Sequence, residues 1–227
     1  MDSYSFIRLF HIAVGSAALL TGPIAMMNQN GGKLHRTSGS IYFWCMQAIV
    51  VTSFYMSFVK GSLFLFMIAG FTFYLITTGV RALKLKKLHL GQKPESVDWL
   101  ILILSGIFGL SLVILGLYTL LVSKNSFGIA PIVFGYFMTS SIYKDYKRFT
   151  VPPKEKNHWL FTHISGMIGG YIATVTAFLV NNIHTEPAFI SWIAPSIIFV
   201  PFLIYTINKF KSKSKKLEPI KFEKGTY

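Results

Sequence analysis

The chain has 227 residues, 52% of them hydrophobic and only 13% charged, too little charge to coat a soluble domain. Its net charge of +14 does not point to nucleic acid, because Lys and Arg fall in short segments between long apolar runs, where they orient helices in a bilayer. A single cysteine, Cys45, excludes an intrachain disulfide and any paired-cysteine metal or redox motif.

A hydrocarbon core of about 30 Å takes about 20 apolar residues of helix. Runs near that length lie at 7–27, 40–58, 62–82, 98–122, 127–143, 158–182 and 189–207, the fifth being the shortest. They are apolar on every face, whereas barrel strands are shorter and alternate, so the chain reads as all-α and polytopic, with seven transmembrane helices. The first run carries His11 and continues through Gly22 and Pro23 to Met27 without a cleavage site, which predicts a retained helix rather than a secretory signal. Asn30, Gly31 and Gly32 mark a turn after it. Pro23, Pro195 and Pro201 fall inside predicted helices, where each frees a carbonyl for another donor. Trp44, Trp99, Trp159 and Trp192, with Tyr42, Tyr143 and Tyr205, lie near span ends as interfacial anchors.

The connecting segments set the expected orientation. Of the 22 Lys and Arg residues, only Arg8, Lys60 and Lys124 fall on one side; the rest follow the first, third, fifth and seventh helices. Positive segments stay in the cytoplasm, so the N-terminus is expected outside and the C-terminus inside, in a plasma membrane, or the inner membrane of a cell with two. Residues 1–208 are then a transmembrane domain and 209–227 a basic cytoplasmic tail, which with the basic loops suits anionic lipid headgroups.

No Asp or Glu is predicted deep in a span: Asp98 is at a helix end, and Asp2, Glu95, Asp145, Glu155, Glu186, Glu218 and Glu223 fall in tails or loops. That argues against a carboxylate-driven transporter and leaves histidine as the ionisable type inside the membrane. His89 and His184 read as solvated loop residues. His11 and His163 lie inside apolar helices, while His35 and His158 sit at cytoplasmic helix starts. At about 100° per residue, His11 shares a face with Gly15, Ala18 and Gly22, and His163 with Gly166 and Gly170. Such stripes turn both histidines into the bundle, either for close helix packing or beside a flat macrocycle.

Depth separates the candidates. His11 enters from the outer side and His163 from the cytoplasmic side, roughly 15–20 Å apart along the membrane normal, too far to share one ion. His35, His158 and His163 gather on the cytoplasmic side. His158 and His163 are five residues apart, about 140° off a common face, so His35 with His163 is the better pair and His158 the substitute ligand. Two imidazoles on facing helices suit haem b and a redox protein, an oxidoreductase reading favoured by Gly15, Gly39 and Gly166, each three or four residues after a histidine. His35, His158 and His163 with an open water position would instead be a zinc site, the basis of a membrane hydrolase. The first rival to the redox reading, ahead of the hydrolase, binds no metal: a carrier or structural subunit for a small or lipidic molecule, in which His11 and His163 line an interior path, His11 and Arg36 are interior polar residues, and His35–Arg36 holds an anionic group.

The run His11-xxx-Gly15-xx-Ala18-Leu19-xx-Gly22-Pro23, followed by Leu34-His35-Arg36-xx-Gly39-x-Ile41-Tyr42, resembles the prokaryotic membrane proteins grouped as domain of unknown function 2306. The resemblance covers about the first 60 residues and implies a membrane protein without assigning a reaction. The His-Arg-xx-Gly segment is also similar to four-helix cytochromes of the b561 type, whose helix-borne histidines bind haem. Two-haem members need histidine pairs at two depths, and His11 has no histidine partner in its half, so the likeness implies a single haem on the cytoplasmic side.

Overall fold

The computed structural model describes residues 2–28 and 31–216. Among them there is no strand, and seven helices are long and apolar enough to cross a membrane: α1 Ser3–Met27, α2 Lys33–Val59, α3 Leu63–Arg81, α4 Ser96–Leu117, α5 Ile129–Thr150, α6 His158–Asn182 and α7 Phe189–Lys216. In an apolar solvent only a helix or a closed barrel satisfies every backbone group within the spanning structure, and these segments are apolar all round. One face of α4, Leu100, Ile103, Ile107, Leu110 and Ile114, stays exposed at helical spacing, as a surface solvated by lipid does. α4 continues into a π-helical turn, Tyr118–Val122, within the single run expected there.

α3 is the central element, packing against α2, α4, α5 and α6, while α1 pairs with α2 and α7 lies outside α6. Consecutive helices alternate in direction. The starts of α2, α4 and α6 therefore lie with the ends of α1, α3, α5 and α7 on one side, here the basic side.

The helices overrun the apolar windows at their charged ends. α2 begins at Lys33 rather than near 40, which puts His35 in its first turn. α5 runs to Thr150, past the expected end at 143, and carries Asp145 into the interior at 6% exposure. Asp145 is thus no loop residue, and the physical reason is pairing: Tyr74 Oη donates to one carboxylate oxygen at 2.9 Å and Arg148, one turn on, meets the other at 3.0 Å. α7 takes in residues 209–216 of the expected tail; residues 217–227, and Asn30 of the expected turn, lie outside the described residues. Gly31 of that turn adopts φ +74°, a left-handed conformation that glycine enters without a Cβ clash.

Two apolar clusters fill the interior. Phe64, Phe127, Phe134 and Trp192 stack edge to face on the side opposite the basic one, with Trp192 packed rather than anchored in headgroups. Ala18, Tyr42, Met46 and Ile76 form the second, with Met167 and Tyr171 against them. Tyr42, expected as an interfacial anchor, is 3% exposed there because its hydroxyl can donate to the Met167 carbonyl at 3.2 Å. The Gly22-Pro23 pair has a local reason as well. Pro23 cannot donate to the carbonyl of Leu19, which accepts from Tyr171 Oη at 3.4 Å instead. The absence of a Cβ at Gly22 makes room for the Tyr171 ring, whose nearest carbon would stand 2.7 Å from it.

Candidate functional site

The last carbonyls of a helix have no amide of their own helix to accept from, and inside a membrane each needs another donor. At the basic end of α1 the carbonyl of Ala25 accepts from His35 Nδ1 at 2.9 Å. At the basic end of α3 the amide of Leu83 turns to Val80, and the carbonyl of Gly79 accepts from His163 Nδ1, also at 2.9 Å. A carbonyl only accepts, so Nδ1 carries the proton in both rings, and a neutral imidazole held this way presents its Nε2 lone pair.

The two rings meet edge-on, with centroids 6.4 Å apart and planes at 65°. An imidazole nitrogen binds a transition metal at about 2 Å with the ring centre about 1 Å behind it, so two rings sharing one ion stand about 5–6.5 Å apart, depending on the angle at the metal. The donor set and spacing fit a bis-imidazole centre. A backbone hydrogen bond on the second nitrogen is the usual support of a metal-binding histidine, fixing its tautomer and orientation.

The glycines divide. Gly166 opens no space beside the ring: a Cβ there would fall 2.7 Å from the Cα of Gly79, so its role is the close crossing of α3 and α6 that brings His163 to its carbonyl. Gly15 has nothing within 4 Å of its missing Cβ, and at Gly39 the nearest atom is the Cβ of Ala25 at 3.9 Å.

The remaining candidates lie elsewhere. His11 donates from Nδ1 to Thr52 Oγ1 at 2.7 Å, the threonine hydroxyl in turn donating to Ala48, near the opposite side of the bundle. From His11 to Ala25 is about 20 Å along α1, and the packed Tyr42 cluster fills the levels between. Arg36, read from the sequence as an interior polar residue, is exposed, because the next position on a helix turns about 100° away from His35. His158 does not join the pair: its ring contact is with His89, and among the described residues no group of three or more His, Cys, Asp or Glu side chains stands ready to hold a metal ion. The five-residue offset from His163 places the two rings on different faces of α6, so a three-histidine zinc centre is not assembled.

A second polar assembly was not legible as a site. Arg81 grips Asp98 with two 2.8 Å bonds, Nε to Oδ1 and Nη2 to Oδ2, and also reaches Glu95 at 2.8 Å. Asp98 completes a capping box at the start of α4 by accepting from the Glu95 amide. Beside it, Asp145 is held by Tyr74 and Arg148, and Arg148 donates to Thr162 of α6 at 2.7 Å. Between the two groups lies a cavity of about 10 Å³, room for about one water. The available signal was the three-residue spacing of Asp145 and Arg148, which puts them on one helix face.

These features define a multi-pass membrane protein with a histidine pair and an ionic cluster on its basic side. No protein-family model, curated protein or solved structure matches the chain.

Proposed function

We propose that this is a b-type haem redox protein of the plasma membrane, oriented with its basic side in the cytoplasm and its N-terminus outside, and holding a single haem between His35 and His163. The observation that carries the reading is the pair itself: rings 6.4 Å apart, each with Nδ1 committed to a backbone carbonyl and Nε2 left over. When bound, the haem supplies one-electron chemistry. The chain's own part is to hold the two imidazoles in place, to fix their tautomer and orientation through the Nδ1 hydrogen bonds, and to keep Gly39, one turn from His35, without a side chain. The likeness of the His35-Arg36-xx-Gly39 segment to b561-type cytochromes points the same way. Arg36, exposed beside the site at the end of the bundle richest in Lys and Arg, suits an anionic headgroup there.

The test is the absorption spectrum of protein purified in detergent after expression with ample haem, oxidised and then reduced with dithionite. His35→Asn and His163→Asn are the matched variants, because an asparagine amide can still donate to the freed carbonyl but ligates haem poorly. A Soret band with a sharp reduced α-band, lost in both variants, is expected. Folded wild type without haem absorbance, or variants that keep the bands, would overturn the assignment.

A further inference from the structure

The segment between α3 and α4 folds back over the start of α6. It places His89, on the short 3₁₀ turn Leu88–Leu90, against His158 with ring centroids 5.8 Å apart and planes at 61°. His158 is 7% exposed, and neither of its ring nitrogens has a hydrogen-bond partner. Leaving a buried polar atom idle costs about 1–3 kcal/mol, and native interiors rarely tolerate it without an ion or a water to complete the contact. His89 is half-buried, and its Nδ1 donates to the Lys86 carbonyl at 3.1 Å, which leaves its Nε2 lone pair free. The same carbonyl lies close to His158 without completing a hydrogen bond to it.

We propose that His89 and His158 form a second metal site, for a late first-row divalent ion of the zinc and copper class, with solvent filling the remaining positions. Their spacing falls inside the range for two imidazoles on one ion, and imidazole is a preferred ligand of these metals. The cations around the site are already engaged. Lys86 Nζ sits over the Trp159 ring at 4.6 Å, and Arg148 is paired with Asp145 at 3.0 Å. Glu155 adds negative charge near His158, with Lys211 3.5 Å from its carboxylate. No third His, Cys, Asp or Glu completes the group among the described residues, so affinity rests on the two imidazoles and is moderate. A bound ion would pin the α3–α4 connection to α6. The site is independent of the His35–His163 pair.

Zinc titrated calorimetrically into the purified, metal-stripped full chain tests this, with His89→Ala, His158→Ala and His163→Ala beside the wild type. A zinc-binding event weakened at least tenfold in His89→Ala and His158→Ala, but kept in His163→Ala, is expected. Because His158→Ala removes a buried side chain, His89→Ala is the decisive variant, and zinc should raise the unfolding temperature of wild type but not of His89→Ala. The proposal is overturned if the wild type binds no zinc, if His89→Ala binds it as the wild type does, or if only His163→Ala loses it. A protein that binds zinc in this way but shows no haem leaves this site standing while the redox reading falls.

Discussion

Arg81 serves two carboxylates with one guanidinium, and only one of them is cut off from solvent: the side chain of Asp98 is 2% exposed and that of Glu95 66%. Removing the cation strands a buried charge, whereas removing the exposed anion loses a screened contact and part of a helix cap. Arg81→Ala should therefore destabilise the protein by about 3–5 kcal/mol, and Glu95→Ala by about 1 kcal/mol; chemical denaturation in detergent micelles measures both. Equal effects would mean that the buried bidentate pair is no stronger than the exposed one. At this scale the sequence is only partly readable. Counting residues from each helix end brings His35 and His163 to the same side of the membrane, because rise per residue is fixed. Which carbonyl each ring caps depends on the lateral order of helices, and no local pattern encodes that. Asp145 was misplaced for the same reason: its hydroxyl partner, Tyr74, is 71 residues away on α3.

Helix positions were visible in the apolar runs, and helix ends were not. A hydropathy window stops at the first charges, yet α2 and α5 continue through theirs, since Lys33, Arg36, Lys144 and Lys147 reach outward while the backbone stays helical. The small-residue stripes were legible as packing faces but not as to what they pack against. Gly166 and Gly15 make the distinction measurable. Gly166→Ala forces its new methyl into Gly79 and the Leu75 carbonyl, separating α3 from α6, while Gly15→Ala meets nothing within 4 Å. The expected cost at Gly166 is about 1–3 kcal/mol from overpacking, and Gly15→Ala should be neutral or slightly stabilising, as glycine in a helix is worth about 1 kcal/mol less than alanine. Thermal unfolding of the two variants side by side decides it; a neutral Gly166→Ala would refute the close crossing.

For the molecule as a whole, the seven-helix class follows from composition and run length, because a bilayer admits few alternatives. The loops test its proposed orientation. Cys45 is the single native cysteine, so a Cys45→Ala background allows one reporter at a time. Lys93→Cys and Lys154→Cys, exposed in the connections after α3 and α5, should resist a membrane-impermeant maleimide in intact cells and react after lysis. Ser123→Cys, exposed at the far end of α4, should react from outside. The reverse pattern would turn the molecule over.

The two ends of the bundle are joined by unlike means. On the basic side, directional bonds among Arg81, Asp98, Asp145, Arg148 and Thr162, with the imidazole caps on α1 and α3, act as rivets that tolerate little displacement before they break. On the other side Phe64, Phe127, Phe134 and Trp192 rest against one another through edge-to-face contacts that slide more readily than they snap. Under thermal load or lateral pressure from lipid, the helices should fan about the riveted end as ribs do about a clasp, with the spread opening toward Trp192 and the spacing between His35 and His163 changing least.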